Sequence, residues 1–324
     1  MKRKWQQFGN NRLLMSIRRW FDEEAGSDQL YEQSTEEIDW VRIVPFLSLH
    51  LACLLVFWVG WSPVAVGTAL ALYVVRMLAI TGVYHRYFSH RTYQTSRFWQ
   101  FIGALLGATS AQRGPLWWTS HHRHHHRFAD QPDDIHSPVQ RGFLWSHMLW
   151  IMTPRYFATR KQFVKDWSRF PELVFLNRFD IVPPLGLLII LLISGRLLGL
   201  YAPSLGTSAL QIAVWGFAIS TVVLFHATAT INSLDHLIGR RRYNTPDHSR
   251  NNWFLALITL GEGWHNNHHH YPIAARQGFF WWEIDVTYYV LVLFCWFGIV
   301  RNLTPLSPKK RDSNRIDDAV PAPH

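Results

Sequence analysis

Apolar residues in this chain are gathered into long runs instead of being spaced at a helical or strand period. "PFLSLHLACLLVFWVGW", "VAVGTALALYVV", "IVPPLGLLIILLISG" and "LQIAVWGFAISTVVLF" each approach the length that a hydrocarbon core of about 30 Å demands of a helix. A soluble core can hold one such run. Four of them predict four membrane spans, over residues 44–61, 64–84, 181–200 and 209–228. The basic start "MKRKWQQFGNNRLL" runs into a polar, acidic stretch and not into the apolar centre of a signal peptide. Low complexity is confined to residues 305–324, which are expected to be a disordered tail.

Charge then orients the spans. The 324 residues carry 32 Lys and Arg against 22 Asp and Glu, a formal net charge of +10. The turn around "GWSP" and the loop "GLYAPSLGTS" are uncharged, whereas residues 1–43, the stretch from Arg86 to Arg178, "GRRRYN" and "SPKKRDSNR" are rich in arginine and lysine. Basic segments stay on the cytoplasmic side, so both termini and every histidine cluster are expected there. The charge follows membrane sidedness and no nucleic-acid motif accompanies it, which argues against a nucleic-acid partner. Cys53 and Cys295 lie in apolar stretches and are expected to fill space and not to pair.

Eleven of the 18 histidines fall into three clusters, "HRYFSH" at 85–90, "HHRHHH" at 121–126 and "HNNHHH" at 265–270. Neutral imidazole suits Zn, Cu, Ni or Fe and suits Mg or Ca poorly. Residues at i, i+3 and i+4 share a helix face, so His265, His268 and His269 are expected to converge on one point. In the second cluster that spacing occurs twice, as His121, His124 and His125 or as His122, His125 and His126, and helical geometry does not choose between them. His85 and His90 are five apart, about 140° on an α-helix, so either the helix ends there or the two rings serve different metals. A structural zinc needs four ligands and a catalytic one three; this many imidazoles predict two metals. An all-imidazole pair beside a bilayer fits iron and dioxygen chemistry on a lipid, since soluble di-iron bundles draw on glutamates and Glu-x-x-His pairs.

These motifs resemble the membrane fatty acid desaturases of the stearoyl-CoA, or delta-9, type, over about residues 45–300. The resemblance rests on "TGVYHRYFSHRTY", "HRHHHRFADQPDDIHSPVQRGFLWSHMLW", "ATATINSLDHLIGRRRY" and "GEGWHNNHHHYP". It implies an all-α integral membrane protein in which four transmembrane helices carry a helical cytosolic cap, here residues 85–180 and 229–304 of a domain spanning 44–304. The implied ligands of two iron ions (Fe2+) are His85, His90, His122, His125, His126, His236, His265, His268 and His269, with Asn232 approaching one iron through water. The second register of "HHRHHHRF" is the one the resemblance selects, because a basic residue and a phenylalanine follow the family's box.

The reaction implied is insertion of a cis double bond, at the delta-9 position, into a long saturated acyl chain. It uses dioxygen and an external electron donor, a ferredoxin- or haem-type protein with its reductase. Tyr73 matches the residue that closes the far end of the acyl tunnel, and Gln112 and Trp118 match substrate-binding positions. "QRG" and "WTSHHRHH" replace the polar residues with which acyl-CoA enzymes grip their coenzyme, so the carrier is either acyl-CoA or a lipid ester, the pattern being nearer to bacterial members of an inner membrane. The Trp-rich stretches "GFLWSHMLWIM" and "GFFWWEIDVTYYVLVLF" suit headgroup level, and Arg76, costly in lipid, should face a partner or a cavity. Two rival functions are a di-iron membrane hydroxylase of acyl chains or alkanes, which begins with the same hydrogen abstraction, and a metal transporter. A transporter would place its ligands at mid-membrane, where only His50 stands.

Overall fold

The computed structural model describes residues 13–25 and 36–316. Of the amino-terminal segment 1–43 it therefore covers 13–25 and 36–43. Residues 317–324 of the tail lie outside the described residues. The rest of the tail is folded: Pro308–Asp312 is a short helix, and Asn244 and Ile316 tie the segment to the chain around Arg242. The expected disorder thus does not extend to residues 305–316, because Ser307 caps that helix and Arg315 pairs with Tyr243 in a backbone bridge.

Helices dominate. The four predicted spans appear as α1 (Val44–Val59), α2 (Pro63–Ser89), α6 (Val182–Tyr201) and α7 (Ala209–His236). Three of these, α2, α6 and α7, are long and apolar enough to cross a membrane, whereas α1 is a shorter apolar helix that stops at Gly60, whose φ of 65° is left-handed. α2 and α7 run on past their predicted ends into polar sequence. Hydropathy marks where lipid ends and not where backbone hydrogen bonding ends. Between the spans lie α3 (Arg97–Ala108), α4 (Pro115–Phe128) and α5 (Pro171–Arg178), and after them α8 (Trp253–Ile258), α9 (His265–His270), α10 (Val286–Trp296) and α11 (Pro308–Asp312). Among the described residues the one sheet is the antiparallel pair β1 (Gln94–Thr95) and β2 (Val300–Arg301), with Gln94 opposite Arg301.

The chain divides into two compact units. The first comprises residues 1–76, 105–118 and 151–225. Its apolar centre is Ala65, Leu191 and Ile212, and α6 approaches the start of α7 so closely that a Cβ on Gly195 would lie 2.7 Å from the Ala209 Cα. Outwardly α6 presents Ile189, Ile190, Ile193 and Leu200, a surface suited to hydrocarbon and not to water. Arg76 does find partners, as its cost in lipid requires: it is buried and donates to Leu72 O, Thr109 O, Thr221 Oγ1 and Ser220 Oγ. Cys53 and Cys295 are both free.

The second unit, residues 77–104, 119–150 and 226–324, holds all the histidine clusters. α10 has 11 residues, shorter than a membrane span needs, and displays Tyr289, Leu293 and Trp296 beside the exposed Trp281 and Trp282.

Candidate metal centre

The five-residue spacing of His85 and His90 is resolved by the backbone. Over Ala79–Ser89, α2 loosens into π winding, and His90 N donates to His85 O at 3.2 Å. A π turn closes i→i+5, which brings residues five apart nearer to one face than an α-helix does. The helix therefore neither ends before the cluster nor sends the two rings to different places: both join one group. Polar side chains occupy carbonyls around the loosened turns, with Ser89 Oγ on Tyr84 O and Tyr93 Oη on Gly82 O.

Ligand-capable nitrogens gather in two adjoining groups, each with one nitrogen per ring within 4.8 Å of the others: His85, His90, His122, His126 and His268, and beside them His125, His236, His265 and His269. The expected triplets do not converge on single points. On α4, His122 and His126 enter the first group and His125 the second; on α9, His265 and His269 enter the second group and His268 the first. The helical pitch allows the division, and the helices packed opposite decide it. Residues four apart differ by about 40° and stay together, while the residue between them lies about 100° from its neighbour and reaches across. Each helix thereby knits the two groups, and the His126 and His269 rings stack at 4.5 Å where they meet. His121 packs against Trp150 and His124 against Phe128; neither belongs to a group.

Carboxylates stand behind the rings. His236 Nδ1 donates to Asp130 at 2.7 Å, His269 Nδ1 to Asp247 at 2.9 Å, His125 Nδ1 to Asp134 at 3.0 Å, and His85 Nδ1 to Glu262. Burial alone would raise Asp130, Asp134 and Asp247. The histidine charge and hydrogen bonds outweigh it and hold all three well below the ordinary carboxylate range. A neutral imidazole that donates a hydrogen bond from Nδ1–H presents a lone pair at Nε2, and such partners orient metal-bound histidines. These four acids were missed from the sequence, although Asp130 and Asp134 sit inside a quoted motif and Glu262 forms a Glu-x-x-His pair with His265. That glutamate turns back instead, onto His85 and the buried Arg86, which also grips Asp285. Gly261 makes the turn at a φ of 126°, where a Cβ would meet Asp285 Oδ1 at 2.4 Å.

Two buried asparagines brace α9 between its ligands. Asn266 Oδ1 accepts from the Arg242 and Tyr243 amides, and Asn267 Nδ2 donates to Gln277 O and Glu283 Oε2.

The donor set fits metal. His90 and His122 present Nε2 atoms 2.8 Å apart, His126 and His268 2.9 Å, and His236 and His265 3.0 Å. The His269 Nε2 is buried with no hydrogen-bond partner, although its Nδ1 proton is committed to Asp247. Burial first, and neighbouring imidazoles second, keep His90, His122, His126, His265 and His268 well below their usual protonation range. Neutral nitrogens aimed at one another in a dry site can hold metal ions. The chemistry is that of a borderline-soft transition metal.

The fatty acid desaturase profile matches residues 59–295 of the chain. This protein belongs to the fatty acid desaturase family. Over 279 residues it is 35% identical to the sn-1 stearoyl-lipid 9-desaturase of Anabaena variabilis, covering 85% of this chain and 97% of that one. The sn-2 palmitoyl-lipid 9-desaturase of Nostoc sp. (strain 36) is 33% identical over 282 residues, 85% of this chain and 94% of the relative. An acyl-CoA 5-desaturase of Anemone leveillei is 34% identical over 296 residues, with 87% of each chain covered. The desaturase is thus an oxidoreductase of fatty acyl chains in a membrane-associated family. Of the other positions singled out in its sequence, Asn232 lies one helical turn before His236, and Tyr73, Gln112 and Trp118 are half-buried residues of the first unit.

Proposed function

We propose that this desaturase inserts a cis double bond at the delta-9 position of a long saturated acyl chain esterified in a membrane lipid, using two irons, dioxygen and an external electron donor. The observation that carries the reading is the pair of adjoining all-histidine groups, five rings and four. Two irons bound there would supply the oxidant that removes two hydrogens from adjacent methylenes. His85, His90, His122, His126 and His268 would hold one iron, and His125, His236, His265 and His269 the other, with Asn232 approaching it through water. Asp130, Asp134, Asp247 and Glu262 accept hydrogen bonds from Nδ1 of His236, His125, His269 and His85, which would leave Nε2 of each ring as the atom offered to a metal. Burial of the rings excludes the water that would otherwise quench a reactive oxidant.

Two observations favour a lipid ester over acyl-CoA. Arg113, which stands where acyl-CoA enzymes carry a coenzyme-gripping residue, is turned inward onto Glu23 and lies 3.5 Å from Asp180. Ser120 and His121, in the other replaced positions, are buried. Relatives named as acyl-lipid 9-desaturases support both the ester and the position. In this arrangement α1, α2, α6 and α7 are the four spans, residues 85–180 and 229–304 form the cap, and the cap faces the cytoplasm of a bacterial inner membrane. The test is expression in a host without desaturases, followed by lipid analysis. A new delta-9 cis double bond in intact glycerolipids is the expected product. Hydroxylated chains would establish a hydroxylase instead, and unsaturation appearing first in acyl-CoA would overturn the ester carrier.

A further inference from the structure

Behind α9 the structure carries a cationic surface that the metal groups do not use. His270 follows His269 directly in the chain, and its ring lies flat on Tyr243 with centroids 4.0 Å apart and planes 5° from parallel. Both rings are fastened to α11: the Tyr243 hydroxyl donates to Arg311 O at 2.6 Å and His270 Nε2 bonds to Lys310 O at 2.8 Å. Around this stack, the guanidiniums of Arg242, Arg311 and Arg315 lie 4.6, 5.6 and 5.7 Å from the centre of the Phe280 ring. Lys310 lies over Tyr271 at 5.7 Å, and Lys309 is exposed. Among the described residues two carboxylates stand against these five cations, Glu283 on the nearly buried Arg242 and Asp312 on Arg311. Three like charges around one aromatic ring repel, and the arrangement persists because the ring face attracts each of them and because Ile316 N and Asn244 N hold the tail in place.

We infer that this surface, Lys309, Lys310, Arg311 and Arg315 beside the half-buried His270 of the Tyr243–His270 stack, docks an acidic protein that carries a one-electron centre near its own surface. The inference rests on the proposed desaturation, whose balance requires two electrons from outside. One turnover converts CH2–CH2, dioxygen, two electrons and two protons into CH=CH and two waters, so the carrier is oxidised by one electron in each of two encounters. Opposed charge speeds and orients a transient encounter of this kind. The location suits it, because His270 is one peptide bond from a residue of the second histidine group and two from His268 of the first. A docked carrier thus meets a ring bonded directly to the ligand segment. A plain solvated charge run would need neither the flat ring pair nor the backbone ties that hold its cations in place.

The experiment uses the full chain in detergent with a reduced plant-type [2Fe–2S] ferredoxin as the probe, and the double variant Lys309→Glu/Lys310→Glu. Binding of the probe to the wild type should weaken steeply between low and physiological salt, and the variant should bind at least about tenfold more weakly at low salt. Its melting temperature, and reduction of its metal centre by dithionite, should stay unchanged. Tyr243→Leu should lower turnover at saturating ferredoxin without raising KM, and Tyr243→Phe should restore it. Equal binding by the variant overturns the docking surface. So does loss of binding to vesicles rich in phosphatidylglycerol with ferredoxin affinity intact, which would make the patch a lipid contact. Ferredoxin binding that follows these charges in a protein yielding no double bond would leave the surface standing and refute the desaturation; double-bond formation indifferent to the variant would do the reverse.

Discussion

At the scale of single residues, "HHRHHHRF" shows how much a shift of one position means. His122, His125 and His126 stand in the groups, while His121 and His124 pack against Trp150 and Phe128. His126→Ala should abolish desaturation in a desaturase-free host, and His124→Ala should retain it at equal protein level; the opposite pattern would mean the register is off by one. The acids behind the rings extend the same logic. Asp247 accepts the His269 Nδ1 proton and is itself steadied by the Ser249 amide at 2.9 Å. Asp247→Ala should therefore cost about 10- to 100-fold in metal affinity, read as iron per chain after mild chelation. Unchanged iron retention would show that packing alone aims the ring. None of these acids could be chosen from the sequence, because a carboxylate behind a histidine is defined by a contact across 9, 22 or 106 positions for Asp134, Asp247 and Asp130, and across a longer stretch still for Glu262 behind His85.

Elements decide what the residues cannot. The π winding at the end of α2 converts a five-residue spacing, divergent on an α-helix, into a shared direction for His85 and His90. Further up the same helix, Tyr73 is half-buried three residues before Arg76, and Arg76 is locked into hydroxyls of α7. That lock fixes the rotation of the helix and so the direction of Tyr73. If Tyr73 closes the acyl tunnel, Tyr73→Ala should admit longer chains while the double bond keeps its distance from the carboxyl end, since only volume beyond the methyl end is added. Product chain lengths by mass spectrometry give the result, and an unchanged preference in a folded variant would reduce Tyr73 to packing.

At the scale of the whole molecule, stability and metal binding share one set of protons. His90, His122, His126, His265 and His268 are held well below their usual range, so the unfolded chain takes up protons that the folded one refuses. For a depressed histidine, stability is lost as pH falls below the unfolded value of about 6.5. Burial would lower His125 too, but Asp134 outweighs it and raises the ring, so its contribution is complete below about 6.5 and is lost only as pH rises above that value, outside the range in which the five act. Each histidine fully within the window contributes about 1.4 kcal/mol per pH unit. Melting of metal-stripped protein should therefore fall clearly between pH 7.5 and 5.5. The depressed Asp130, Asp134 and Asp247 add nothing in that window, because their contribution is lost only as pH falls below about 4. A flat profile would mean that the rings are hydrated and open without metal.

Local chemistry made much of this legible along the chain. Long apolar runs announce helices because hydrocarbon accepts no unpaired backbone, and three of the four runs form helices long enough to cross. Clustered imidazoles announce a transition metal because few other side chains offer a neutral nitrogen at such density. What the chain alone left open depends on which way a ring points. The division of each histidine triplet between two groups follows from packing α4 against α9 and the π-wound end of α2, and the proton on each nitrogen follows from an acid far away in sequence. The ordered tail on Tyr243 belongs to the same class. Spacing sets angles within one helix, but only the tertiary structure sets one helix against another, and a metal site is built from the second relation.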